Sequence, residues 1–416
     1  MPRTLSAALS ASLLALAAAP AFAWDAHGHR VITYLALDGL PFADKPAKGD
    51  AAPAPIVTVP LWLSSPEIKD AVAYQCAEPD RIRAQPTPSL VHVNGPDHYL
   101  DLDMLPRWGM TIDTMPTLRH RFIKELTLAR PKFPQNFTDY DPAKDAANEN
   151  EWPGLGAQAV MEAYAGLQAS FRTLKIIEIA GAEGRDLQIA QGRQNAVFYM
   201  GRLSHFVGDL AQPLHTTIHH HGWVRDVATF PDPATLPSTW NPNDYTTEYA
   251  FHAYIDGTIL IHHQLTVESL TPTQKHERTV NDMDPWGDVL AHIKRSFAQV
   301  EPLYRMHKDD TLRGPEGKAF ISERLHDGAD MLRALIVAAW TSSDPVKRDL
   351  DYFTSGTPAA GKPSLPEMNT RRIPARTGTE AEQARKEAEE RRKARSGGGA
   401  GKTPPPAPTP TPAPQP

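Results

Sequence analysis

The stretch from Ser204 to His215, SHFVGDLAQPLH, contains three side chains of types that bind metal ions. His205 and Asp209 are four residues apart, and His215 follows shortly after a proline. Residues at positions i and i+4 of a helix project from the same face, so His205 and Asp209 would point in one direction. Taken alone, this spacing is equally typical of a solvated polar helix face.

A second pair with the same spacing occurs further along the chain. His252 and Asp256 lie in EYAFHAYIDGTIL, which has the composition of a helix. Helical bundles build metal sites from side chains on facing helices. One such pair is expected by chance in a chain with 17 histidines. Two pairs that flank a further histidine favour a shared metal site.

The first 23 residues have the features of a secretory signal. Arg3 precedes an apolar run, and Ala21-Phe22-Ala23 forms a cleavage site of the A-x-A type. The mature chain is therefore expected to begin at Trp24 and to be secreted or periplasmic. The apolar run is too short to span a bilayer, so no transmembrane anchor is expected.

Further ligand types occur earlier in the body. Cleavage after residue 23 would free the α-amine of Trp24, which loses its proton near neutral pH and can bind metal together with the carbonyl oxygen. His29 follows five residues later. Asp80 and Arg83 lie in CAEPDRIR, and His98 lies in GPDHYLDLD. These last three residues indicate nothing specific by themselves.

The other end of the chain is not expected to join the folded core. Residues 379–395, TEAEQARKEAEERRKAR, contain helix formers without an apolar face, and a Gly-rich and then Pro-rich stretch follows. We therefore predict a single domain over residues 24–355 and a disordered tail over residues 356–416.

Cys76 is the one cysteine, so no internal disulfide can form. We expect a monomer.

The net charge of −6 conceals an acidic body. Setting aside Arg3, Lys402 and the nine basic and five acidic residues of 371–395 leaves 32 basic against 44 acidic groups. A protein that binds nucleic acid through a basic surface has the opposite balance. If the protein binds phosphate, positive charge must come from a source other than lysine and arginine.

The body is predicted to be all-α. Residues 193–210 repeat apolar side chains with helical periodicity, and Pro213 ends the pattern. Similar patterns occupy residues 154–174, 248–265, 285–304 and 315–340. Residues 90–103 are the best candidate for extended chain, and residues 111–154 are interpreted as a loop-rich excursion.

The motifs together resemble the S1/P1 nuclease family, zinc-dependent secreted nucleases related to bacterial zinc phospholipase C. The resemblance covers residues 24 to about 343. It rests on an N-terminal Trp with His five residues later, then PDRIR, HYLD, HFVGDLAQPLH and HAYID, in that order. It implies a single, mostly helical domain of the phospholipase C/P1 nuclease type with three zinc ions in a cleft.

The resemblance implies how three Zn²⁺ ions are held. The first would bind Asp80, His98, His205 and Asp209; the second Trp24, His29 and Asp209; the third His215, His252 and Asp256. Asp209 would then bridge two ions. Nitrogen and oxygen ligands suit zinc, and three or four protein ligands leave positions for water and substrate. Three zinc ions would also place positive charge in one cleft of an acidic body.

The activity implied is hydrolysis of single-stranded RNA and DNA to 5′-phosphate products, together with 3′-nucleotidase activity. Asp80 would orient the attacking water or accept its proton, and Arg83 would bind the phosphate. Tyr99 would stack on a base and Asp101 would hydrogen-bond to it. The plainer interpretation is that Tyr99 is a core aromatic residue and Asp101 an acid at a strand end.

Two other functions compete with a nuclease. A zinc phospholipase C would use the same metal chemistry on a lipid. The His-x-x-x-Asp pair in place of His-x-x-x-Glu, and the base pocket expected at Tyr99 and Asp101, favour the nuclease. A non-catalytic zinc-binding envelope protein gains slight support from His219, His220 and His221, which we interpret first as solvated loop histidines. The complete ligand set argues against this class.

Overall fold

The computed structural model describes residues 24–42, 57–137, 152–223, 241 and 243–350. The described residues up to Val346 belong to one compact unit. Residues 347–350 belong to a second unit, which begins at Lys347. The predicted signal peptide (1–23), the predicted tail (356–416) and the predicted domain end at residue 355 lie outside the described residues. No helix within the described ranges has both the length and the apolar character needed to cross a membrane.

The described part of the chain is mostly helical, which confirms the predicted fold class at this level. Its helices are α1 (Ala26–Asp38), α2 (Pro66–Gln75), α3 (Glu78–Arg83), α4 (Pro88–Asn94), α5 (Arg119–Ala129), α6 (Gly156–Ile179), α7 (Asp186–Ala211), α8 (Phe251–Ala253), α9 (Ile259–His262), α10 (Val267–Leu270), α11 (Trp286–Phe297), α12 (Val300–Lys308) and α13 (Pro315–Thr341). A π-helical turn, Tyr254–Thr258, joins α8 to α9. Short 3₁₀ turns include Gly95–His98 and Pro213–Thr216.

Helix α7 lies at the centre of the body, where it packs against α1, α2, α6, α11 and α13. Every residue from Leu203 to Ala211 is buried. A helix segment buried on all sides is surrounded by protein, so the polar side chains within it lie in the interior as well. The helix predicted over residues 193–210 is thus confirmed, with an earlier start at Asp186 and an end just before Gln212-Pro213.

Two glycines allow neighbouring helices to approach α7 closely. A Cβ atom on Gly201 would lie 2.3 Å from Cβ of Gln75, at the end of α2. A Cβ atom on Gly208 would lie 3.0 Å from Nδ1 of His29, on α1. The first distance is shorter than any real Cβ contact, so Gly201 allows α2 to end against α7, whereas at Gly208 a Cβ atom would require His29 to shift by a few tenths of an ångström.

The prediction for residues 90–103 is wrong, and the prediction for residues 111–154 is incomplete over its described part, since residues 138–151 lie outside the described residues. Residues 90–103, expected to be extended, form the end of α4 and a 3₁₀ turn, with a single isolated bridge between Leu100 and Gly154. Pro88 is tolerated in the first helical turn and starts α4, which outweighs the strand-like spacing of Val91 and Val93. The supposed loop-rich excursion contains α5, whose Phe122 and Leu126 are buried at helical spacing.

Two helices predicted as continuous are interrupted. The segment expected over residues 285–304 consists of α11 and α12, which the short link at Ala298 and Gln299 separates. The segment expected over residues 248–265 is divided by the π-helical turn. A π turn inserts a residue into the helical repeat, and such turns are frequent at functional sites.

Candidate metal centre

Eight buried side chains form two adjoining clusters that could hold metal ions. We call them the five-residue cluster, which is His29, Asp80, His98, His205 and Asp209, and the three-residue cluster, which is His215, His252 and Asp256. The five-residue cluster contains two sets of three residues whose ligand atoms all lie within 4.8 Å of one another. One set is His29, His205 and Asp209; the other is Asp80, His98 and His205. The three-residue cluster meets the same limit.

Asp209 joins the two sides of the five-residue cluster. Its Oδ1 lies 3.1 Å from Nε2 of His29. Its Oδ2 lies 3.1 Å from Nδ1 of His98 and 3.3 Å from Nε2 of His205. Among the described residues neither oxygen accepts a hydrogen bond, although Asp209 is fully buried. The two oxygens therefore face different histidines, which is the arrangement that a bridging carboxylate requires.

His98, His205 and Asp80 form the other side of this cluster. Nε2 of His205 lies 2.9 Å from Nδ1 of His98. Oδ1 of Asp80 lies 3.7 Å from the same His98 nitrogen and 4.0 Å from Nε2 of His205. Three ligand atoms thus converge from α3, the Gly95–His98 turn and α7.

The orientation of His205 depends on the end of α2. Nδ1 of His205 lies 2.6 Å from the carbonyl oxygen of Cys76. An N–H donated to that carbonyl leaves Nε2 with its lone pair toward Asp209, which is how proteins commonly orient metal-binding histidines. The close packing at Gly201, one turn earlier on α7, brings Cys76 to this position. Sequence reasoning did not identify this contact, because Cys76 acts through its backbone.

The three-residue cluster lies beside the first. Nε2 of His252 is 2.9 Å from Nε2 of His215 and 3.3 Å from Oδ2 of Asp256. Nδ1 of His215 lies 2.7 Å from the carbonyl oxygen of His98, so His98 belongs to one cluster and orients a member of the other. The backbone N–H of Leu100 donates to the His215 carbonyl at 2.9 Å, which holds the two segments together.

Gln212 is a supporting residue that the sequence analysis missed. Its Nε2 donates to Oδ1 of Asp256 at 2.8 Å, while its Oε1 accepts from the backbone N–H of Leu214. Gln212 is fully buried. The amide therefore fixes Asp256 relative to the turn that carries His215. Its position between two ligand residues, in the motif LAQPLH, was the available signal.

Trp24 packs against α7 at Gly208, the residue before Asp209, while its predicted role as a metal ligand through the amine and carbonyl stays a prediction. The residue is fully buried, and its indole N–H donates to the carbonyl oxygen of Gly208 at 2.9 Å. The backbone N–H of Asp25 donates to the carbonyl oxygen of Asp256 at 3.1 Å. The Asp25 side chain then accepts from the backbone N–H groups of His27 and Gly28, which starts α1.

Burial dominates the electrostatics of both clusters. Desolvation raises the pKa of Asp80 to about 7, with the charge of Arg83 as the main opposing influence. Desolvation also raises the pKa of Asp209 and Asp256 well above the usual value. Nη2 of Arg83 lies 3.4 Å from Oδ1 of Asp80, so this guanidinium borders the five-residue cluster.

The two residues expected to bind a base differ in exposure. Tyr99 is half-buried, whereas Asp101 is about 1 % exposed, and its backbone N–H donates to the Pro153 carbonyl at 2.7 Å. Tyr99 follows His98 directly, so both residues lie next to the five-residue cluster along the chain. Their role toward a substrate stays a prediction.

The interpretation of His219, His220 and His221 as solvated loop residues is wrong for His219 and incomplete for its neighbours. His219 is about 1 % exposed, and its ring stacks on Trp223 with centroids 4.0 Å apart. The other two are half-buried, and the ring of His221 lies 5.2 Å from that of His252. The sequence pattern did not show that this loop folds back over the three-residue cluster.

The residues present fit a metal ion. Imidazole nitrogens and carboxylate oxygens are ligands that zinc accepts. Burying several ionisable groups together is costly unless they pair or coordinate a cation. In each cluster two histidine nitrogens lie 2.9 Å apart: Nε2 of His205 and Nδ1 of His98 in one, and Nε2 of His252 and Nε2 of His215 in the other. Histidines that converge on a common ion would bring their nitrogens together in this way.

No protein-family model matches the chain, and no curated protein matches it significantly. The functional interpretation therefore depends on the residues and their geometry.

Proposed function

We propose that the protein is a zinc-dependent phosphodiesterase of the S1/P1 nuclease type. It would hydrolyse single-stranded RNA and DNA to 5′-phosphate products and act as a 3′-nucleotidase, with three Zn²⁺ as cofactors. The observation that carries the proposal is the convergence of eight buried His and Asp side chains in two adjoining clusters, with Asp209 facing both sides of the larger one. All eight occupy positions that the motif resemblance had assigned.

The donor set determines where metal would be held. His29 and Asp209 would hold one ion with the mature amine of Trp24, and Asp80, His98, His205 and Asp209 a second. His215, His252 and Asp256 would hold the third. Bound zinc would supply Lewis-acid chemistry and would activate water. It would also provide the positive charge that the acidic body lacks.

Asp80 and Arg83 are positioned to act on a phosphodiester. The Asp80 carboxylate, about 6 % exposed, is more accessible than the fully buried Asp209. It can accept a proton from an attacking water at one oxygen while the other faces His98 and His205. The Arg83 guanidinium beside it carries donors for the phosphate oxygens, where negative charge grows during the reaction.

Single-strand preference is proposed from Tyr99. An aromatic ring stacks on any base, but the base must be free of a partner strand. Tyr99 is half-buried and follows the cluster residue His98 in the chain, so we assign this contact to its ring. Asp101 would have to become more accessible on substrate binding, since it is about 1 % exposed here.

The proposal is tested on mature protein that begins at Trp24, with zinc content and activity measured on the same sample. The substrates are single-stranded RNA, single-stranded DNA, a 3′-mononucleotide and phosphatidylcholine, each with and without a chelator. About three zinc ions and chelator-sensitive release of 5′-nucleotides are expected. Cleavage of the lipid alone would assign the protein to the phospholipase branch. Bound zinc without any hydrolysis would favour a binding protein.

A variant separates catalysis by Asp80 from metal loading. Asp80→Asn should lower kcat by a factor of about a hundred or more, because the amide cannot accept the proton, while much of the zinc is retained. Asp113→Asn is the matched control, since Asp113 is exposed, belongs to neither cluster and forms a surface ion pair with Lys294. Wild-type kcat in Asp80→Asn would remove Asp80 from the proposed mechanism.

A further inference from the structure

The loop that carries three consecutive histidines is anchored from several directions. The Asp103 carboxylate accepts from the Thr217 hydroxyl at 2.5 Å and from the backbone N–H of Ile218 at 3.0 Å. The Tyr304 hydroxyl donates to the carbonyl oxygen of His219. Asp103 and Tyr304 come from distant parts of the sequence, so the loop has a defined position that does not depend on its own short-range contacts.

This anchoring places two imidazoles over the three-residue cluster. The ring centroids of His220 and His221 lie 6.2 and 5.2 Å from that of His252, and 4.6 Å from each other. His221 also stacks on Tyr249 at 4.1 Å, which fixes the plane of its ring.

We propose that His220 and His221 form a phosphate-binding pair that contacts the phosphate group of the substrate at the three-residue cluster. This inference rests on the proposed function, because it assigns residues to the same site. An imidazole N–H is a hydrogen-bond donor of suitable size for a phosphate oxygen. A half-buried position beside a ligand histidine limits competition from water while leaving access for the substrate.

The geometry favours contact with substrate over metal ligation. The ligand atoms of His215, His252 and Asp256 lie within 4.8 Å of one another, and neither His220 nor His221 belongs to that set. The charge of Arg83 acts on His221 as it does on His252. The charge of Arg83 therefore reaches both residues, which is consistent with a substrate phosphate held in this region of the site.

The experiment uses full-length mature protein loaded with zinc. The variants are His220→Phe and His221→Phe, which keep an aromatic ring and its stacking but remove the nitrogen atoms. His262→Phe is the matched control, because His262 is exposed and belongs to neither cluster; its ring lies 3.1 Å from the carbonyl oxygen of Arg313 and 4.9 Å from the ring of His263. Zinc content, melting temperature and calorimetric binding of inorganic phosphate, a 5′-mononucleotide (the proposed product, which is not hydrolysed) and phosphocholine are measured for each protein.

The expected result is unchanged zinc content and weaker phosphate binding, on the order of tenfold for each loop variant, as for loss of a hydrogen bond to a charged group. Weakening with both organic ligands identifies the phosphate as the shared element, and weakening with the mononucleotide alone assigns a nucleotide source. Loss of a zinc ion from a loop variant, or phosphate binding by that variant equal to that of the control, would refute the assignment of His220 and His221 as a phosphate-binding pair. If wild-type protein binds no zinc and cleaves no phosphodiester, the proposed function fails separately.

Discussion

Replacing Gly208 by alanine should disturb the five-residue cluster without replacing any of its candidate ligand residues. Gly208 precedes Asp209 on α7, and its missing side chain is where α1 approaches. An added Cβ atom would lie 3.0 Å from Nδ1 of His29 and 3.2 Å from Cδ1 of Ile32. Ordinary contacts of this kind begin at 3.4 Å, so His29 and Ile32 must both yield by a few tenths of an ångström.

The size of the effect follows from two opposing contributions to stability and one to binding. Alanine is favoured over glycine within a helix by about 1 kcal/mol. Crowding a packed interior costs about 1–3 kcal/mol. The free energy of unfolding of the metal-free protein should therefore decrease by only about 0–2 kcal/mol. Metal affinity should fall more clearly, by about 10–100-fold, because displaced supporting contacts misplace His29 relative to Asp209.

The assay is a zinc titration of metal-free protein against a competing chelator, with melting curves recorded in parallel. Gly208→Ala should weaken binding at the five-residue cluster while binding at the three-residue cluster is retained. Gly287→Ala is the matched control, because it also adds a methyl group to a helix and meets no atom within 4 Å. Both variants should stay folded, so a difference in zinc binding cannot be ascribed to unfolding.

The reasoning is refuted if Gly208→Ala binds zinc with the stoichiometry and affinity of the control. In that case His29 is either not a ligand or is held by contacts other than the α1–α7 packing. A loss of all zinc together with a large fall in melting temperature would also contradict the argument, since it would mean that the crowding cost exceeds the range used here.

Three further predictions concern the surroundings of the clusters. Gln212→Ala removes the hydrogen bond to Asp256 and should weaken zinc binding at the three-residue cluster by about 10–100-fold, which the same titration measures. Burial raises the pKa of Asp103 from 3.8 to about 6, so its contribution to stability is complete below 3.8 and is lost as the pH rises through about 6. Relative to Asp103→Asn, wild type should therefore lose about 2 kcal/mol of unfolding free energy between pH 4 and 7, and a pH-independent difference would count against this. A tag left before Trp24 turns its amine into an amide and should lower zinc content and rate, whereas equal values with and without the tag would exclude amine ligation.

The helices that carry the centre could be predicted because their signals are local. Residues 193–210 combine a regular apolar stripe with Pro213 at the end, and α7 agrees with both. Residues 90–103 were predicted incorrectly as extended chain, because the alternating Val91 and Val93 imitate a strand while Pro88 begins a helix. Local patterns of this kind conflict, and only the packing of the whole body decides between them.

Spacing indicated the pairs His205–Asp209 and His252–Asp256, and the family resemblance supplied the other candidate ligands, but neither described the surroundings of these residues. Spacing places His205 and Asp209 on one helix face, yet it does not show whether that face meets water or protein. Burial on all sides results from the packing of several helices around α7, which no short motif encodes. The backbone carbonyl of Cys76 and the amide of Gln212 act through tertiary contacts, so their roles became visible only in the folded chain.

Most candidate metal ligands lie on helices, whereas most residues proposed to contact a substrate lie in loops. His29, Asp80, His205, Asp209 and His252 lie on helices, where packing fixes them closely. Apart from Arg83 at the end of α3, the residues proposed to contact a substrate lie elsewhere, in the chain after the Gly95–His98 turn and in the loop before Trp223. A centre built on packed helices keeps its geometry when the adjoining loops change. Under the proposed function, one metal centre of this kind could act on a nucleotide or on a lipid phosphodiester, and the loop residues are where the distinction must be tested.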